Sequence, residues 1–174
     1  MNIIDVYSIF RSRNAEYDKN DNKGNPYFIT DAVYGYTFFG EEDGIKVDQP
    51  ILIPEGIIGK TIIVGKTYSI AQLITDVNFR ISVRVFPSGS VGVLRYLYDD
   101  ICEIREVQKN AQIELGNSVK TSGFSNIYPE NLPVGEVIEI QDERGSFQKI
   151  VKVKITSNIG SLLNVFVIDR ELYE

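Results

Sequence analysis

Residues 121–137 read Thr-Ser-Gly-Phe-Ser-Asn-Ile-Tyr-Pro-Glu-Asn-Leu-Pro-Val-Gly-Glu-Val. Gly123 and Gly135 accept positive φ without steric cost. Pro129 and Pro133 lock φ at about −65° and push Tyr128 and Leu132 toward extended backbone. No helix survives that combination. Single apolar residues, Phe124, Ile127, Tyr128, Leu132 and Val134, stand between the fixed points and suit the anchoring of a wide surface loop onto a β-barrel or sandwich beneath it. An anchored loop is a presenting surface, so this stretch points to an all-β fold with a rigid face on offer.

A fainter copy lies upstream, where Pro54-Glu55-Gly56-Ile57-Ile58-Gly59-Lys60 echoes Pro129 to Glu136 with one residue inserted. The echo implies two related β-units, each passing through an extended Pro-Glu corner into a strand marked by glycine.

The rest of the chain supports the same class. Arg80 to Val85 alternates, with Ile81, Val83 and Val85 on one face and Arg80, Ser82 and Arg84 on the other, as a half-buried antiparallel strand does. Pro87-Ser88-Gly89-Ser90 turns it into Val91 to Tyr98. Strict alternation over Ile101 to Val107 sets Ile101, Glu103, Arg105 and Val107 against Cys102, Ile104 and Glu106. Val137 to Ile140 and Phe147 to Ile155 form a hairpin about Gln141 to Gly145, with Val151, Val153 and Ile155 inward and Lys152 and Lys154 outward. Shorter strands are expected at Ile51 to Ile53, Ile57 to Val64, Ser69 to Thr75 and Leu162 to Ile168, with one or two in Tyr27 to Phe39. At Met1 to Phe10 the spacing also fits a short helix, but the β-branched and aromatic content favours a strand. Asp18 to Asn25 reads as a long mobile loop, Gly40 to Gly44 as an acidic turn, and Asp169 to Glu174 as a fraying tail.

Composition removes several classes of function. Twenty-four acidic and 18 basic residues give a net charge of −6. The basic residues are scattered singly, without the concentrated footprint that nucleic acid or an anionic lipid surface requires. Cys102 is the only cysteine and histidine is absent. Internal disulfides, cysteine-based zinc sites and histidine general bases are therefore excluded. No apolar run approaches the ~20 residues of a membrane helix, and Met1 to Phe10 lacks the form of a signal peptide, so the expectation is a soluble chain without a cofactor.

Four apparent motifs dissolve on inspection. Counted from Asp18, the sixth and twelfth positions of a calcium loop hold Lys23 and Ile29 where Gly and Glu are needed. Gly59-Lys60-Thr61 and Gly65-Lys66-Thr67 lack the glycine five positions earlier that a phosphate-binding loop demands, since Pro54 and Lys60 stand there. Asp99 and Asp100, adjacent in a turn between strands, are unsuited to share a substrate. Ser118 with Lys120, or Ser122 with Lys149, would be the serine–lysine dyads open to a hydrolase without histidine. Tyr34, Tyr36, Tyr96 and Tyr98 would be the platform of a wall-sugar-binding module, although aromatics at period two are more often core or cross-strand pairs.

Taken together, Thr121-Ser122-Gly123, Ile127-Tyr128-Pro129 and Leu132-Pro133-Val134-Gly135-Glu136-Val137 resemble the signature of the rod shape-determining MreC family. Gly44-Ile45-Lys46, Pro54-Glu55-Gly56-Ile57-Ile58-Gly59, Leu73-Ile74-Thr75-Asp76, Gly92-Val93-Leu94 and Asn164 to Ile168 are similar to its other blocks. The likeness runs from about Tyr34 to Ile168 and does not include the family's amino-terminal membrane helix or coiled coil. It implies two small antiparallel β-barrels packed side by side, one over 34–106 and one over 107–174, with strands open to exchange between them. Residues 1–33 stand outside it. It further implies a non-catalytic scaffold of cell elongation and peptidoglycan synthesis on the outer face of the bacterial cytoplasmic membrane. Such a scaffold self-associates, as an oligomer or filament, and binds wall-synthesis proteins, a penicillin-binding transpeptidase and membrane elongation proteins among them. The partner-binding loops would comprise Thr121, Ser122, Gly123, Phe124, Ile127, Tyr128, Pro129, Leu132, Pro133 and Gly135, with Pro54, Gly56 and Gly59 from the upstream corner.

Overall fold

A computed structural model describes residues 3–6, 34–37, 39–142, 145–159 and 165–169. The described strands are β1 (Ile3–Val6), β2 (Tyr34–Thr37), β3 (Pro50–Ile53), β4 (Gly56–Val64), β5 (Ser69–Leu73), β6 (Ile81–Phe86), β7 (Ser90–Tyr98), β8 (Ile101–Gln108), β9 (Ser118–Thr121), β10 (Pro133–Asp142), β11 (Gln148–Ile155) and β12 (Val165–Ile168). One 3-10 turn, Glu41–Asp43, occupies the expected acidic turn. The loop around Asp18 to Asn25 and most of the acidic tail lie outside the described residues.

These strands make two sheets. β10, β11, β8, β7, β6 and β9 close into a six-stranded barrel, because β9 pairs with both β6 and β10. The other sheet runs β1-β12-β3-β4-β5-β2. Where two barrels were expected, the described residues form one closed barrel and one open sheet. The difference lies in the end strands: β9 finds two partners, whereas among the described residues β1 pairs only with β12 and β2 only with β5. The 106/107 division falls inside β8, so the barrel draws on both sides of it, and β12 returns to the first sheet to pair with β3 and β1.

Period-two patterning set the faces correctly along β6 and β11. Ile81, Val83 and Val85 are buried, as are Val151, Val153 and Ile155. In β8 strict alternation fails. Cys102, Ile104 and Val107 all face inward, because Glu106 takes a left-handed φ of 66° and the register with β11 slips there. A bulge of this kind shifts parity by one residue.

The barrel cluster includes Phe79, Leu94, Cys102, Ile104, Val119, Tyr128 and Val137, and a second cluster joins Ile45, Ile51, Ile58, Leu73, Val165 and Val167. Ile57 belongs to the first and Ile58 to the second. Neighbouring residues on a strand point to opposite faces, so β4 lies between the two cores and serves both. Gly59-Lys60-Thr61 falls within β4, as strand rather than phosphate-binding loop.

Candidate functional site

The loop between β9 and β10 is closed by one side chain. Thr121, the last residue of β9, donates its hydroxyl to the Pro129 carbonyl at 2.5 Å, and the same Oγ1 accepts the Leu132 N–H at 2.9 Å. The Thr121 backbone completes the clasp, its N–H donating to the Leu132 carbonyl at 2.9 Å and its carbonyl accepting the Asn131 N–H at 3.0 Å. Pro129 and Pro133 donate no N–H of their own, so a side-chain hydroxyl supplies part of the closure that a strand ladder would otherwise give.

Within the loop, Tyr128 turns inward and meets Phe79 edge to face, with ring centroids 6.2 Å apart. Burial pushes the Tyr128 phenol above its ordinary range, and the Asp48 carboxylate adds to the effect. Its hydroxyl has no hydrogen-bond partner among the described residues. Ser122 donates to the Ser82 hydroxyl at 2.8 Å and accepts the Phe124 N–H at 3.2 Å. Gly123 sits at φ 77°, where an added Cβ would approach the Glu130 Cβ to 2.8 Å. From that compact base Phe124 projects with 71% of its surface exposed, and the Arg84 guanidinium lies 5.6 Å from its ring centroid.

The upstream corner meets this loop. A Cβ on Gly56 would stand 2.7 Å from the Pro133 carbonyl oxygen, so only glycine allows the approach. Nearby, Thr156 donates to the Glu55 carbonyl at 2.6 Å and Ser157 to the Ile57 carbonyl at 2.9 Å. The two echoing segments thus form one continuous junction between barrel and sheet.

The thirteen residues expected at the partner surface divide by exposure. Pro54, Gly123, Phe124 and Pro133 are exposed; Ile127, Pro129 and Leu132 are half-buried; Thr121, Ser122, Tyr128, Gly135, Gly56 and Gly59 are buried. Gly59 and Gly135 are strand positions, their missing Cβ atoms making room for the carbonyls of Gln72 and Lys154. The pattern read from sequence mixes scaffolding with surface. Arg84, which sequence reasoning did not select, contributes to the surface, and its outward parity on β6 was the signal available.

Ser122 and Lys149 are each engaged elsewhere, and among the described residues no hydrogen bond joins Ser118 to Lys120. The Ser122 hydroxyl is engaged with Ser82 and Phe124, the Lys149 ammonium donates to the Ala111 carbonyl at 2.9 Å, and Lys120 lies 5.4 Å from the Phe86 ring centroid. Tyr34 and Tyr36 lie on β2 of the open sheet, whereas Tyr96 and Tyr98 lie on β7 of the barrel. Among the described residues, no group of three acidic or cysteine side chains is placed to hold a metal, and no helix is long and apolar enough to cross a membrane.

Residues 39–169 match the family model described as rod shape-determining protein MreC, barrel core. The cell shape-determining protein MreC of Haemophilus influenzae is 32% identical over 122 residues, a match covering 66% of this chain and 33% of that protein. A solved structure described as the major periplasmic domain from the cell shape-determining filament MreC superposes with a TM-score of 0.74 at 19% identity, covering 95% of this chain and 94% of that one. Another, described as a complex between penicillin-binding protein PBP2 and MreC from Helicobacter pylori, superposes with a TM-score of 0.58 at 22% identity, covering 68% of this chain and 74% of that one. The chain spans about a third to a half of the length of the curated relatives it matches.

Proposed function

The chain belongs to the MreC family of rod shape-determining proteins, and from that premise we propose that it is a docking module of the bacterial cell-elongation machinery. The family is one of structural, cell shape-determining proteins rather than enzymes. Its work here is to hold wall-synthesis proteins together on the outer side of the cytoplasmic membrane. A penicillin-binding transpeptidase is the proposed first partner, and membrane elongation proteins and further copies of the chain complete the set. A second small barrel beside the closed one is part of the same proposal. Periplasmic placement and filament formation draw on the similar fold of a domain so described.

The observation that carries the reading is the rigid presentation of Phe124 on a loop clasped by Thr121 and anchored by Tyr128. An exposed ring held in place loses little freedom on binding, which favours an interface anchor. The fold similarity to an MreC solved in complex with PBP2 supports a penicillin-binding protein as the partner class.

The test is surface binding of this chain to the ectodomain of the elongation transpeptidase from the same organism. Saturable binding in the micromolar range is expected, weakened about tenfold by Phe124→Ala, the loss of a contact worth ~1.4 kcal/mol. Absence of saturable binding into the high micromolar range would refute the reading. Light scattering after gel filtration, over rising concentration, tests self-association separately.

A further inference from the structure

Arg84 on β6 and Lys120 on β9 are register partners on neighbouring strands of the barrel. Both project outward, because their strand neighbours Val83, Val85, Val119 and Thr121 are buried. Like charges directly opposite one another destabilise a sheet. The other outward cations of the barrel strands avoid that cost by pairing: Arg95 with Glu106, Arg105 with Glu103, Lys152 with Glu139 and Lys154 with Asp100. Among the described residues Arg84 and Lys120 have no carboxylate. Arg84 reaches only the Gly89 carbonyl, at 3.4 Å.

Each cation is instead backed by a ring, Arg84 by Phe124 at 5.6 Å and Lys120 by Phe86 at 5.4 Å. An aromatic face attracts a cation without neutralising it and leaves its N–H donors free for an anion. Two adjacent positive charges between two phenyl rings therefore interrupt a surface whose net charge is negative.

We propose that this wall, Phe124–Arg84–Lys120–Phe86, recognises a short acidic peptide segment of a partner protein, its carboxylates received by the two cations and its apolar side chains by the two rings. A phosphate polymer fits less well. It gains affinity from many cations along a track, whereas this site is two cations wide and the whole chain repels a polyanion. A segment with apolar, acidic, acidic and apolar side chains at every second residue matches the order of the wall, because alternate side chains of an extended segment share one face. The inference shares Phe124 with the docking reading above and gives that surface a charge requirement.

The test is titration of the 15N-labelled chain with the blocked peptide Phe-Ser-Glu-Ser-Glu-Ser-Phe, beside the same peptide with Gln for Glu, with inorganic polyphosphate as a third probe. Shifts confined to β6, β9 and the Phe124 loop are expected for the Glu peptide, at least about tenfold weaker for the Gln peptide, and lost in R84Q/K120Q. Added salt should weaken binding further. Equal response to both peptides, shifts elsewhere, no response to the Glu peptide, or a response to polyphosphate alone would each overturn the proposal. F124A, which leaves the strands untouched, provides a second variant should R84Q/K120Q melt early. Transpeptidase binding unchanged in R84Q/K120Q would sink this inference and spare the docking reading. Absence of transpeptidase binding would sink that reading, and the peptide titration would still decide this one.

Discussion

A Cβ placed on Gly56 would lie 2.7 Å from the carbonyl oxygen of Pro133. These two residues, 77 positions apart, bring the opening of β4 against the opening of β10 and seat the open sheet on the barrel. The contact turns two loops of similar sequence into one junction, and several consequences can be measured.

Gly56→Ala should destabilise the chain by about 1–3 kcal/mol, the cost of forcing backbone apart in a packed junction. The added methyl meets the Pro133 carbonyl and the Thr156 hydroxyl, 2.9 Å away, and the carbonyl cannot rotate aside. Denaturant unfolding followed by circular dichroism measures the loss, and unchanged stability would show that the junction yields.

Thr121→Val keeps the shape of the side chain and removes its hydroxyl. The Leu132 N–H and the Pro129 carbonyl then lose a partner, at an expected cost of about 1–3 kcal/mol. Hydrogen exchange at Leu132 should accelerate well beyond the change at β6 amides, whereas Thr121→Ser should retain most of the protection.

Tyr128→Phe should be neutral or stabilising by up to ~1 kcal/mol, because the hydroxyl it removes is buried without a partner among the described residues. Tyr128→Ala, by contrast, removes the ring that packs on Phe79 and should cost about 3–5 kcal/mol. Thermal melts of the two variants should fall on opposite sides of the parent or nearly so.

At Glu106 a non-glycine residue holds φ at 66° within β8. Left-handed backbone costs an L-residue roughly 1–2 kcal/mol, and glycine returns part of that gain through its freer unfolded chain. Glu106→Gly should therefore stabilise by about 0.5–1 kcal/mol. The ion pair it gives up, 3.8 Å from Arg95 and exposed, is worth little. A lower midpoint in urea would show that the bulge is not strained.

Alkaline pH should erode stability from about pH 9 upward. Burial, with a smaller contribution from Asp100, pushes the Cys102 thiol from 9.0 up to about 12, and burial raises the Tyr128 phenol above its ordinary 10.0 as well. A raised folded pKa means that the unfolded chain releases the proton first, so stability is complete below pH 9 and falls as pH rises, by at most ~1.4 kcal/mol per pH unit for each group. Cys102→Ala should flatten the slope between pH 9 and 10, read from urea midpoints at stepped pH. The parent thiol should resist alkylation at pH 8 until the chain unfolds.

Local pattern carried a large part of the architecture. The alternation of Ile81, Val83 and Val85 and of Val151, Val153 and Ile155 has period two, and hydrophobic burial acts on that period whatever the strands pair with. Proline and glycine between Thr121 and Val137 barred a helix for reasons internal to each residue. Candidate surface residues were legible less well. The same glycines that make turns also let backbones approach, and from sequence Gly59 in a strand wall looks like Gly123 in an exposed loop.

By itself, then, the sequence determined the class of fold, the inward faces of its regular strands and the position of the central loop, because these follow from side-chain period and from the backbone limits of single residues. Tertiary structure alone decided which strands close the barrel, why Val107 joins Cys102 and Ile104, and which side chain clasps the loop. Those outcomes depend on pairings such as β9 with β6 and β12 with β3, between segments distant in the chain, whose register no local pattern encodes. Arg84 and Lys120 became neighbours by the same route, each unremarkable in its own strand until barrel closure set one against the other.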